Sequence, residues 1–142
     1  MQIDSDIFIV AHAIQQSVAP VFLLTGVGSI LSVLSGRLGR VIDRFRLLEL
    51  LEEKKRIEHR EEINNLLRRS SLIHWAITLC TSSALLICLV IAVLFIGAEL
   101  NKDPSTTISL LFVTSMMALV AGLLCFLREI SLATNHIKIG KK

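Results

Sequence analysis

The sequence predicts an all-α polytopic membrane protein with three transmembrane helices and a cytoplasmic helical hairpin extending spans 1 and 2. Three observations carry this reading. Residues 18–35, 76–98 and 107–127 hold no charged side chain. Mean hydropathy is +0.68, with 53% hydrophobic and 19% charged residues, a balance foreign to a small soluble domain. Of 15 Lys and Arg residues, ten lie within 37–70 and four within 128–142, the asymmetry expected of membrane topology. About 80 residues remain outside the apolar runs, too few and too scattered for a separate enzyme domain.

Residues 1–17 carry Asp4 and Asp6 but no Lys or Arg, and so lack the basic start of a secretory signal. Ile3, Ile7, Val10, Ala11 and Ile14 recur at helical spacing behind Asp4 or Ser5 as N-cap, which predicts a short amphipathic helix on the outer surface. Span 1, residues 18–36, is a retained helix that Pro20 either begins or kinks. Its charge-free run is about 27 Å long, enough for a hydrocarbon core of roughly 30 Å.

Residues 37–70 contain no Pro, are rich in Leu, Glu, Lys and Arg, and read as helical. The chain must reverse within them. The polar stretch at 52–56 is the preferred turn, and Asn64-Asn65 its rival. Val27, Leu31, Leu34, Leu38, Val41, Phe45 and Leu48 step by four and three from span 1 into this segment. That heptad seam predicts one continuous helix packed along its length, either on span 2 and the returning arm or on another subunit. Span 2 (71–98) and span 3 (107–127) flank the turn-rich loop 99–106 and form an antiparallel hairpin. His74-Trp75 marks the interface end of span 2. The tail, 128–142, continues as a helix past Arg128-Glu129 and lies along the inner surface or the arms.

Net charge is −2 before span 1, +3 over 37–70, −1 in the loop and +3 in the tail. The positive-inside rule therefore places the amino terminus outside and the carboxyl terminus in the cytoplasm. The basic excess suits topology and anionic lipid better than nucleic acid, for which no aromatic-basic platform is present.

Thr25, Gly28, Ser29, Ser32, Ser35, Gly36 and Gly39 fall within an arc of about 120° on span 1, opposite the seam. Two readings fit this stripe. It is a helix-contact face, since small residues let backbones approach closely in lipid. Alternatively it lines a water-filled path in a ring of subunits, with Arg37, Arg40 and Arg44 as a basic inner mouth that concentrates anions. Asp43 lies near Arg40 and Arg46 and reads as an ion-pair partner.

No ionisable residue lies within the apolar runs, which argues against energised transport. Cys80, Cys88 and Cys125 read as apolar packers, and the four histidines are dispersed. No P-loop, GxGxxG or GxSxG motif occurs, so neither enzyme activity nor a cofactor or metal is expected. The functional expectations are a homo-oligomer assembled through span 1, as a passive channel or pore-like assembly, or an accessory scaffold whose hairpin docks a cytoplasmic or membrane partner.

The stretch APVFLLTGVGSILSVLSGRLGRVIDRFRLLE over 19–49, together with FLREISLAT over 126–134, resembles an uncharacterised family of small bacterial membrane proteins, domain of unknown function 2721. The resemblance covers nearly the whole chain, and 35–46 is its most specific part. It implies a bacterial inner membrane and three spans, and brings no activity, cofactor or site residue.

Overall fold

The computed structural model describes residues 2–50, 60–100 and 105–139, which form three long helices. They are α1 (Gln2–Glu49), α2 (Arg60–Glu99) and α3 (Ser105–Ile139). Among the described residues there is no strand. All three helices are long and apolar enough to cross a membrane, and the chain is an all-helical membrane protein.

Alternating direction follows from which side chains meet. Arg44 pairs with Glu62 near the α1–α2 connection, and Arg37 and Arg69 meet on Glu129 further from it, so α1 and α2 are antiparallel. Ser83 with Ser115 and Arg69 with Glu129 establish the same for α2 and α3. The middle helix, α2, packs along both of its neighbours.

A seven-residue step organises the packing. On α1 the buried positions Ala13, Pro20, Val27, Leu34, Val41 and Leu48 recur at intervals of seven. On α2 Leu66, Ile73, Cys80 and Ile87 form one such series and Ala76, Ser83, Val90 and Gly97 a second; on α3 Ser115, Gly122 and Glu129 form a third. An α-helix of 3.6 residues per turn keeps such a repeat against a neighbour only by winding around it in a left-handed sense. Two series on α2 and one on each flanking helix are what a three-helix arrangement with α2 in the middle requires.

The seam on α1 therefore packs within the chain: Val27, Leu34, Val41 and Leu48 join Leu66, Ile73, Ala76, Cys80, Ile87 and Leu119 in one buried cluster, with Leu31 and Leu38 against it. Helix α1 runs unbroken through Pro20 and into the extension, so residues 2–17 continue the line of span 1. Asn64-Asn65 lies inside α2, so the chain does not turn there. The preferred reversal at 52–56 falls outside the described residues. Loop 99–106 is described only at its ends.

At the α2–α3 contact the residues are small for a steric reason. A Cβ on Gly122 would stand 2.9 Å from Cys80 Sγ and 3.3 Å from the Ala76 carbonyl oxygen. Two turns away, the Ser115 hydroxyl donates to the Ser83 carbonyl at 3.1 Å and shares a 3.0 Å hydrogen bond with the Ser83 hydroxyl, both side chains fully buried. Interhelical bonds of this kind contribute about 0.6 kcal/mol each on average. No more than 22% of any apolar window is buried within the unit. Most of the spanning surface faces lipid or another protein.

Candidate functional site

The most polar part of the interior lies just past the ends of the apolar runs, where three helices each contribute a charged side chain. Glu129 on α3 is 0% exposed. Its Oε2 accepts from Arg37 Nη1 at 2.8 Å, and its Oε1 accepts from Arg69 Nε at 3.1 Å and from Arg69 Nη2 at 2.8 Å. A carboxylate without water is costly unless its lone pairs are met by charged donors. Two guanidiniums meet that need, and among the described residues no buried side-chain nitrogen or oxygen lacks a partner.

Neither arginine is buried as deeply as the acid: Arg37 is 31% and Arg69 28% exposed. Their heads reach the acid from two sides. Arg37 also stacks over the Phe126 ring, 5.3 Å from its centroid, an attraction between cation and ring quadrupole. All three helices are thus tied together at one level, and Glu129, together with the Arg37–Phe126 contact, links the outer pair, α1 and α3.

Two turns further along α1, Arg44 donates through Nε at 2.9 Å to Glu62 Oε1 on α2. Between these two ion-pair levels lies a cavity of about 370 Å³ lined by Arg37, Arg40, Arg44 and Arg69 with Val41, Leu66 and Ala133. Ala133 places the tail of α3 against the α1 and α2 arms, one of the two sites expected for it.

The three arginines singled out from sequence are therefore together, but their setting is a groove within the chain that they share with Arg69. Arg37 and Arg44 are held by carboxylates of other helices, and Arg40 is exposed. Asp43 is exposed on α1.

The stripe lies on the other side of α1. Thr25, Gly28, Ser29, Ser32, Ser35, Gly36 and Gly39 are all exposed in the three-helix unit. Nothing lies within 4 Å of a Cβ built on Gly28 or Gly39, and Gly36 would meet only Arg40 Nη1 at 3.9 Å. Thr25 Oγ1 donates to the Val21 carbonyl and Ser29 Oγ to the Thr25 carbonyl, each at 3.2 Å. With their protons held by their own helix, these hydroxyls tolerate an apolar surrounding and still offer an acceptor lone pair.

Sequence reasoning missed Glu129, Arg69 and the Ser83–Ser115–Gly122 contact. A signal was present for the first: Glu129 lies fourteen residues from Ser115 and seven from Gly122, on the heptad line of α3. Cys80 is buried, Cys125 half-buried and Cys88 exposed.

With this geometry in place, comparison with known proteins finds that the family described as Protein of unknown function (DUF2721) matches residues 17–139. The chain belongs to this family. The apolar run of each helix and each charged residue of the interior network fall inside the matched region. No curated protein matches the chain, and no solved structure does.

Proposed function

We propose that the protein is a non-catalytic component of the bacterial inner membrane that self-associates through the small face of α1 into a passive, pore-like assembly. In this reading the amino terminus is outside and the basic end, with Arg37, Arg40 and Arg44, is cytoplasmic. The observation that carries it is the stripe from Thr25 to Gly39. The chain's own packing uses the opposite face of α1, so a run of small residues at membrane depth is left outward with open space beyond Gly28 and Gly39. Small faces of this kind let helix backbones approach closely where lipid supplies no hydrophobic drive. The acceptor lone pairs that Thr25 and Ser29 leave free, with the Ser32 hydroxyl, would line a polar path along the axis.

The test is the mass of the full-length particle in native nanodiscs, with Ser32→Cys labelled by a small water-soluble thiol reagent in a background lacking Cys80, Cys88 and Cys125. Four or more subunits with the thiol labelled is the expected result. A monomer or dimer with the thiol protected, or bilayer recordings silent across ion types and voltages, would refute the pore.

A second reading, an accessory scaffold, is favoured by apolar exposure at the basic end, where Leu47 is 60%, Leu50 84% and Leu67 51% exposed. Replacing these three leucines with Ser would release a docked partner while leaving any conductance intact.

A further inference from the structure

Four arginines, Arg37, Arg40, Arg44 and Arg69, line one cavity of about 370 Å³. Each brings a positive charge and a planar fork of donors. Among the described residues two carboxylates are paired with them, Glu129 with Arg37 and Arg69, and Glu62 with Arg44. Among these described groups two positive charges are left in excess in a partly enclosed space, where like charges repel more strongly than in water. An anion in the cavity would remove that repulsion.

Donor geometry says which anion. The bonds to Glu129 use one nitrogen of Arg37 and two of Arg69, and those to Glu62 use Nε and Nη2 of Arg44. Each of these side chains has a further nitrogen free of those bonds, and the carboxylates fix the plane in which it is presented. Arg40 has no carboxylate partner among the described residues; its Nη1 turns back along α1 to 3.9 Å from the position of a Gly36 Cβ, towards the span. Several planar guanidinium forks carried on two helices around one cavity suit a tetrahedral group with several charged oxygens, that is, a phosphate. The volume is within the range of roughly 300 to 1,000 Å³ usual for small-ligand sites.

Depth points the same way. Arg37 follows directly on the charge-free part of α1, and Arg44 lies about 10 Å further along the helix. That interval is of the order of the headgroup layer, roughly 5 to 8 Å on each side of the hydrocarbon. Basic pockets between spanning helices at this level are suited to phospholipid headgroups. Val41 and Leu66 give the cavity an apolar wall.

We propose that this cavity is a binding site for a phosphate group at the membrane surface, carried either by an anionic phospholipid headgroup or by a small phosphate ester in solution. The site is complete within one chain and does not depend on self-association. Arg40 is its recognition residue without a structural duty, while Arg37, Arg69 and Arg44 both bind and hold the helices.

The test is thermal unfolding of the full-length protein in neutral detergent. It is titrated separately with short-chain phosphatidylglycerol, with the matching phosphatidylcholine and with glycerol phosphate, each midpoint shift giving an apparent Kd. Phosphatidylglycerol should shift the midpoint saturably and phosphatidylcholine should not. A shift with phosphatidylglycerol alone assigns the site to the lipid, and an equal shift with glycerol phosphate assigns it to a soluble ester. Arg40→Gln should weaken binding by about tenfold, the effect of one lost charge-assisted hydrogen bond, and should leave the unliganded midpoint no lower, since it removes one of the repelling charges. Arg128→Gln removes an exposed charge next to Glu129 but outside the cavity and should leave binding as it was. No shift with either phosphate compound, or equal weakening by Arg128→Gln and Arg40→Gln, would overturn the proposal.

Discussion

Glu129→Gln is the most informative single substitution, because it changes charge at the crossing point of three helices without changing shape. The carboxylate accepts three charge-assisted hydrogen bonds, at 2.8, 3.1 and 2.8 Å. Such bonds contribute about 1.5–3 kcal/mol each. Both arginines are about one-third exposed, so water already competes and the lower part of that range applies. The amide oxygen of Gln can serve one arginine, but its NH2 then faces the donors of the other. One guanidinium therefore loses its acceptor and the remaining contact loses its charge. The expected cost is roughly 2–4 kcal/mol, a little below the 3–5 kcal/mol of a buried pair broken outright. Equilibrium unfolding in mixed micelles titrated with a denaturing detergent reads this difference directly. A companion variant with Arg37, Arg69 and Glu129 all replaced by Met should return to within about 1 kcal/mol of wild type, since removing a buried ionic group entirely is often neutral. If Glu129→Gln costs less than about 0.5 kcal/mol, the three-helix network does not hold the bundle and the reasoning fails.

The same contacts set further expectations. Arg69→Met should cost more than Arg37→Met in that assay, because Arg69 gives Glu129 two hydrogen bonds and Arg37 one. Gly122→Ala should destabilise by about 1–3 kcal/mol, as overpacking does, because the new methyl would meet Cys80 Sγ and the Ala76 carbonyl. Adding Cys80→Ala should recover part of that loss, a non-additivity expected of touching residues. Gly28→Leu should leave unfolding of the monomer unchanged, there being open space around it, yet lower the fraction of oligomer seen by mass measurement. Arg44→Gln should change stability by no more than about 1 kcal/mol, since its pair with Glu62 is largely solvated.

The spans and their helical class were legible because a charge-free run of 18 or more residues matches the thickness of a bilayer and is rare in a soluble domain. The α1 seam was legible because period alone reports which face is buried, and Val27, Leu34, Val41 and Leu48 are buried as expected. Period does not say what covers that face, a second subunit or the chain's own α2, and the fold shows α2. Glu129 was obscured by its neighbourhood. Beside Arg128 at the end of an apolar run it looks like an interfacial polar residue, and its burial depends on partners 92 and 60 positions away. The same distance hides Arg69 from a local reading of Arg37, Arg40 and Arg44. The Ser83–Ser115 contact was hidden because isolated serines are common in spans, and only the register between α2 and α3 pairs these two.

The continuity of α1 has a mechanical consequence. A helix of 48 residues is a rod of about 72 Å, and from Val27 to Glu49 it runs without Pro. Suppose that a change in contact along the Thr25–Gly39 face tilts the rod by about 10° around Val27. Glu49, about 33 Å away, would then swing by roughly 6 Å, and Arg37 and Arg44 would be carried with it past the carboxylates of α2 and α3. If the proposed self-association through that face occurs, contacts between neighbours in the lipid would thereby be geared to the shape of the arginine-lined groove. A phosphate group held there, as proposed above, would resist the swing.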